Sequence, residues 1–219
     1  MLRMSVLSQA WRSPSGNHRE RGLIAIGASL GGMRVLETVL AALPRELPAP
    51  VVVVQHLSEQ QPSALVEILS RTATMPTQWL EHGAALDAGV VHVAPPGRHV
   101  VVNERRRAVL LDTPPLNHTR PAADPLFTSA AAYYGPATIA VVLTGRLFDG
   151  AAGALAVRHA GGVVIAQDPG TCVAPGMPEA AIASGAVHFV LPPPAIAQAL
   201  IAFTMVPGAL AMFGWPRAA

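Results

Sequence analysis

Three polar residues stand directly beyond apolar runs in this 219-residue chain, and they are of the types that a proton relay needs. Leu23–Ile26 leads into Gly27-Ala28-Ser29-Leu30-Gly31-Gly32; Val51–Val54 leads into Gln55-His56; Thr138–Leu143 leads into Thr144-Gly145-Arg146-Leu147-Phe148-Asp149-Gly150. A serine hydroxyl is a poor nucleophile near neutral pH and needs a base to take its proton. An imidazole can do that if a carboxylate fixes its tautomer and stabilises its charged form. Ser29, His56 and Asp149 are the candidates for these three roles. The segment around Ser29 has the form G-x-S-x-G, in which glycines allow a sharp turn that lifts the hydroxyl clear of the backbone. A helix starting just after it would offer unpaired N–H groups to an oxyanion.

Each residue also has a plainer reading. The Gly27–Gly32 turn could be an anion site at a helix N-terminus, although Ser29 occupies the second glycine of the dinucleotide fingerprint. His56 alone reads as a satisfied strand-end histidine, and Asp149 alone as the N-cap of the helix that follows it. The chain order Ser…His…Asp departs from the Ser…Asp…His of the α/β-hydrolases.

For these groups to converge, the chain must place them at one edge of a sheet. Apolar, β-branched strands at Leu23–Ala28, Val51–Val54, Val90–Ala94, Thr138–Leu143, Val163–Ala166 and Val187–Leu191 alternate with helices at 32–43, 62–71, 124–134, 151–159, 178–184 and 195–204. Arg98–Asn103 and Arg107–Asp112 flank a charged turn and read as a hairpin. Strand–helix alternation predicts a three-layer α/β/α sandwich with a mainly parallel sheet plus one β-hairpin. Ligands of such sheets sit beyond the carboxyl ends of the strands, where the three residues fall. The expected organisation is a basic, flexible tail at 1–22, a catalytic domain at 23–203 and a C-terminal tail at 204–219.

Composition narrows the function further. All 15 cationic residues are Arg, which removes lysine-based phosphate, Schiff-base and general-base chemistry. A net charge of only +2 and 5% aromatics disfavour nucleic-acid binding. Mean hydropathy is high, +0.40, yet no apolar run is long enough to span a bilayer, so no membrane insertion is expected. The single Cys172 and the absence of a signal-like segment predict a cytoplasmic protein. Of the remaining histidines, His82, His92, His99, His118, His159 and His188 show no metal-ligand spacing, so neither a metal nor another cofactor is expected.

Several separated segments, in order, resemble the catalytic domain of CheB-type chemotaxis receptor methylesterases: LIAIGASLGG at 23–32, Gln55-His56, PPLNHTRP at 114–121, LTGRLFDGAAG at 143–153 and Gly176-Met177-Pro178. The resemblance spans roughly residues 23 to 200. It implies an α/β/α serine hydrolase that demethylates glutamate methyl esters on the cytoplasmic region of chemoreceptors, releasing methanol, and in many members deamidates glutamines. It also implies Ser29 as nucleophile, His56 as base then acid, and Asp149 as orienting carboxylate. Leu30 and Arg146 fall where oxyanion donors are expected, Arg120 and Met177 near the substrate cleft, and other chemotaxis signalling proteins become candidate partners. Two departures stand out. Leu30 replaces a small or hydroxylated residue, and Arg146-Leu147-Phe148 replaces M-G-x in the family's L-T-G-M-G-x-D-G loop. If the missing glycine needed positive φ, Leu147 would strain the loop by about 1–3 kcal/mol or reshape it. A weakened relative serving as a binding or scaffold module is the alternative. The 22 residues before Leu23 are too few for the receiver domain typical of the family, so any regulation is expected to come from elsewhere.

Overall fold

The structure, a computed structural model, describes residues 22–58, 63–206 and 209. The chain begins with β1 (Leu23–Ala28), α1 (Gly32–Ala42), β2 (Val51–Gln55), α2 (Leu65–Thr72), β3 (Thr77–Trp79) and β4 (Val91–Val93). A hairpin of β5 (His99–Val102) and β6 (Ala108–Leu111) follows, then α3 (Ala123–Tyr134), β7 (Thr138–Val142), α4 (Ala151–His159) and β8 (Val163–Gln167). Finally come α5 (Gly176–Ala183), β9 (Phe189–Leu191) and α6 (Pro193–Met205). The main sheet has seven strands in the order β3-β4-β2-β1-β7-β8-β9, all paired in parallel, and β5 with β6 forms a separate antiparallel pair.

Both faces of this sheet are covered, which is why its strands are apolar without interruption. On one face Ile24, Ile26, Val51, Val53, Val141 and Ile165 pack with Val35, Leu36, Val39 and Leu40 of α1 and with Ile196 and Leu200 of α6. On the other, Ala25, Val52, Val142 and Val164 pack against Leu126, Phe127 and Ala130 of α3, Val157 of α4 and the hairpin's Val100 and Val102. Successive residues of one strand thus serve opposite layers. The three-layer arrangement predicted from the sequence is the one observed.

Differences lie at the ends of elements. β3 was not predicted; three residues at a sheet edge after Pro76 carry too little pattern. The last strand is confined to Phe189–Leu191. α5 starts two residues before Pro178, which sits in its first turn, where a missing N–H costs nothing. α6 runs to Met205, past the expected boundary at 203. The expected tail at 1–22 lies outside the described residues except for Gly22, as does most of 204–219; the start expected for α2 at 62 also lies outside them.

The strand order is what builds a site. β1 is central, and the chain departs from it in both directions, to β2 on one side and β7 on the other. Ala28 is in register with Gln55 and Gly27 with Val142, so the loops after β1, β2 and β7 emerge side by side at the switch point.

Candidate active site

Ser29 is the first residue past β1 and is half-buried. Its turn is fixed from three sides. Its N–H donates to Thr144 O (2.9 Å), and its carbonyl accepts from Gly32 N (2.9 Å) and from Gln55 Nε2 (2.8 Å). The chain then reverses at Gly31, whose φ of 83° is at home in glycine and which caps α1. Gly145, after β7, comes so close that a Cβ there would lie 2.7 Å from Ser29 Cβ and collide with Met177 Sδ. Only a hydrogen fits between the serine turn and the buried methionine.

His56 is the first residue past β2. Its N–H donates to Ala28 O (3.0 Å), and its carbonyl accepts from the same Gln55 amide nitrogen (3.3 Å). One side-chain NH₂ therefore ties the serine turn to the histidine strand end. The imidazole Nε2 lies 2.7 Å from Asp149 Oδ2. Ser29 and His56 line one cavity together with Leu30, Arg34 and Val173. Among the described residues, neither Ser29 Oγ nor His56 Nδ1 makes a hydrogen bond, and the backbone N–H groups of Leu30 and Arg146 have no acceptor.

Asp149 is 1% exposed and is not the N-cap of α4; Gly150 holds that position without a side-chain cap. Its carboxylate instead receives the first N–H groups of α3: Ala123 N at 2.6 Å on Oδ2 and Asp124 N at 3.3 Å on Oδ1. Asn117 Nδ2 adds a third donor at 3.1 Å. Burial pushes this carboxyl up, but the His56 hydrogen bond and charge, the Ala123 N–H and the Asn117 amide outweigh it, and the acid is held below its ordinary value. An ionised Asp149 can only accept, so Nε2 of His56 carries the hydrogen of this bond, and in a neutral imidazole Nδ1 is then the nitrogen with the lone pair.

The acid of α3 repays the arrangement. Asp124, 8% exposed, accepts from Gly153 N in the first turn of α4 at 2.7 Å. Asp149, just ahead of α4, thus receives the first N–H groups of α3, and Asp124 of α3 receives one from the first turn of α4, with the positive ends of both dipoles turned toward the pair of acids. Burial, reinforced by the nearby Asp149 charge, raises the Asp124 carboxyl above its ordinary value despite the Gly153 and Asn117 donors.

The other expected site residues fall in different places. Leu30 is 45% exposed at the cavity rim, and Arg146 is exposed at the start of the altered loop. Arg120 is half-buried and donates to Thr113 O (2.9 Å), bracing its own proline-rich loop; it is not among the residues lining the cavity with Ser29 and His56. Met177 requires correction. It is 0% exposed, packed behind Gly145 with its N–H on Gly145 O (2.9 Å), so in this structure it supports the loop beside Ser29 and presents no surface to the cavity. Its motif lies beside the cleft, but the side chain turns into the core. Leu147 does take positive φ, 64°, and keeps its side chain 56% exposed, so the strain expected from the missing glycine is present in this loop. Reading the sequence missed Gln55, Asn117 and Asp124 as members of the site. Gln55 had a signal, its place beside His56; the other two act across the fold, and only the prominence of the PPLNHTRP segment hinted at Asn117.

The chain is similar to proteins from several organisms. It is 45% identical over 170 residues, 78% of this chain and 50% of the relative, to protein-glutamate methylesterase/protein-glutamine glutaminase 2 of Anaeromyxobacter dehalogenans. It is 41% identical over 170 residues, 78% of this chain and 51% of the relative, to protein-glutamate methylesterase FrzG of Myxococcus xanthus. The crystal structure of the Thermotoga maritima CheB methylesterase catalytic domain superposes with a TM-score of 0.80 at 37% identity, covering 83% of this chain and 97% of that one. The chain spans about half the length of these curated relatives. The sequence model of the CheB methylesterase family matches residues 24–200, and the chain belongs to that family.

Proposed function

We propose that this protein is a serine carboxylic-ester hydrolase that removes methyl groups from glutamate esters on the cytoplasmic region of chemoreceptors. Ser29 Oγ attacks the ester carbonyl as His56 Nδ1 takes its proton. The Leu30 and Arg146 N–H groups, which have no other described acceptor, receive the oxyanion. Collapse of the tetrahedral adduct expels methoxide, which leaves as methanol with the proton from His56, and an acyl-enzyme forms at Ser29. Water then attacks the acyl carbon, His56 accepts its proton and returns it to Ser29 Oγ, and a free glutamate carboxylate leaves. Asp149 keeps its own negative charge throughout and stabilises the imidazolium. Glutamine would follow the same course with ammonia as the leaving group, in keeping with the double name of the Anaeromyxobacter relative. The expected partners are methylated chemoreceptors and, through them, other chemotaxis signalling proteins in the cytoplasm.

The observation that carries this reading is the 2.7 Å bond between His56 and a buried, ionised Asp149, beside a serine held by its turn and not by its hydroxyl. An inactive scaffold has no use for an imidazole in a cavity wall with one nitrogen fixed on a buried acid and the other without a described partner. The test is methanol release from a glutamate-methylated chemoreceptor cytoplasmic region. Wild type should release methanol and Ser29→Ala none; equal release by the two proteins would overturn the assignment.

A further inference from the structure

Asn117 reaches two acids with one nitrogen. Its Nδ2 donates at 2.8 Å to Asp124 Oδ2 and at 3.1 Å to Asp149 Oδ1, one hydrogen for each carboxylate. Its place is built. Leu116 and Thr119 exchange backbone hydrogen bonds at 3.1 and 3.0 Å across a two-residue turn, in which Asn117 and His118 have φ of 53° and 65°. That is the turn type in which both central residues take positive φ, a conformation asparagine tolerates. The segment is anchored upstream as well: His99 Nε2 bonds Pro114 O (3.1 Å), and Arg120 donates to Thr113 O. His118, the other central residue, faces solvent.

Two carboxylates buried within reach of one amide would share a proton if nothing separated them, because two like charges so placed resist joint ionisation. A shared proton would sit for part of the time on Asp149, and His56 would then face an acid unable to stabilise its charged form. Backbone donors serve the acids separately, Ala123 N and Asp124 N on Asp149 and Gly153 N on Asp124. Asn117 is a neutral donor to both at once, and stabilises negative charge on each without adding an acid or a base. The charged groups that act on Asp149 are His56 from the end of β2 and Asp124 from the start of α3.

Resting on the esterase reading above, we propose that Asn117 is a positioning residue that keeps Asp149 from sharing a proton with Asp124, and so keeps His56 competent as the base. Its substitution by glycine, which is at ease at φ near 53°, removes the amide without straining the turn.

The experiment compares wild type, Asn117→Gly and the double variant Asn117→Gly/Asp124→Asn, each checked for cooperative melting. It measures methanol release and, independently of catalysis, the carbon-13 titration of the Asp149 carboxyl. The expected result for Asn117→Gly is a kcat lower by about tenfold or more, with KM within about twofold, and an Asp149 titration moved to higher pH. Adding Asp124→Asn removes the competing acid and should restore most of both. A merely structural Asn117 predicts the reverse, a further loss when a second hydrogen-bonding group is altered. Unchanged kcat and titration in Asn117→Gly, or a double variant slower than the single, would overturn the proposal. Should wild type release no methanol while the Asp149 titration still moves and is still restored, the esterase reading fails and the separation of the two acids stands.

Discussion

The two ends of the site are built in opposite ways. At the acid end, Asp149 is buried, and its two oxygens receive His56 Nε2, two helix-terminal N–H groups and the Asn117 amide. At the hydroxyl end, Ser29 Oγ and His56 Nδ1 have no described partner, and the flanking loop carries Leu147 and Phe148 56% and 52% exposed. A catalytic charge gains most from donors that need no rearrangement during reaction. On the proposed mechanism the carboxylate stays charged and still, and it is held by four donors. The hydroxyl that would form and break a bond is positioned through its backbone. Order is concentrated at the group assigned no movement, and openness at the group assigned to meet substrate.

The sharpest way to break this contrast is to neutralise the acid end. Asp149→Asn should lower kcat by roughly 10³–10⁴-fold, since the new amide invites the wrong imidazole tautomer. Steady-state assay alongside circular dichroism would separate that effect from unfolding, and a loss of less than tenfold would show that the carboxylate is dispensable.

Next in size is a change that crowds the hydroxyl end. In Gly145→Ala the new methyl would press on Ser29 Cβ and Met177 Sδ. A destabilisation of about 1–3 kcal/mol is expected from overpacking, together with a lower kcat as the serine turn shifts. Urea unfolding with parallel kinetics checks both, and adding Met177→Ala should recover stability more than activity.

The two acids also predict opposite slopes of stability with pH. Asp149 is held below the ordinary carboxyl value of 3.8, so its contribution is full above that pH and is lost as pH falls through its folded value. Asp124 is raised above 3.8, so the folded state keeps a proton that the unfolded chain has released. Its contribution is full below 3.8 and declines as pH rises through its raised value. Urea midpoints from acid toward neutral pH should show Asp124→Asn flattening the decline above 3.8 and Asp149→Asn removing the loss below it. A variant that changes the opposite limb would contradict the division of roles.

The smallest effect belongs to the strained loop. Leu147→Gly should stabilise the fold by about 1 kcal/mol, because an exposed leucine at φ 64° gains no packing to offset the left-handed conformation. A thermal melt would register it as a modest rise in Tm.

Much of this was legible before any coordinates. The strand–helix alternation fixes the layers, and polar residues just past apolar runs mark the carboxyl edge of the sheet. The places of Ser29, His56 and Asp149 could be read because each is local to its own strand end. Leu147 was legible too, since the glycine absent from its loop left a specific question about φ. What escaped depends on partners far away in the chain. Asp149 looks like a cap for α4 because that helix follows it, but it caps α3; Asp124 does the converse, and no local pattern encodes an exchange. Asn117 sits in a turn whose asparagine is explained by backbone conformation alone, which hides its second task. The full burial of Met177 could not be read, because a motif beside a cleft does not say which way a flexible side chain turns.

The most direct test of the central claim, a Ser29 hydroxyl activated by an Asp149-oriented His56, is labelling with a fluorophosphonate followed by peptide mass mapping. One adduct on Ser29 in wild type, lost in His56→Ala, is the predicted result. Labelling of another residue, or of Ser29 at the wild-type rate without His56, would contradict it.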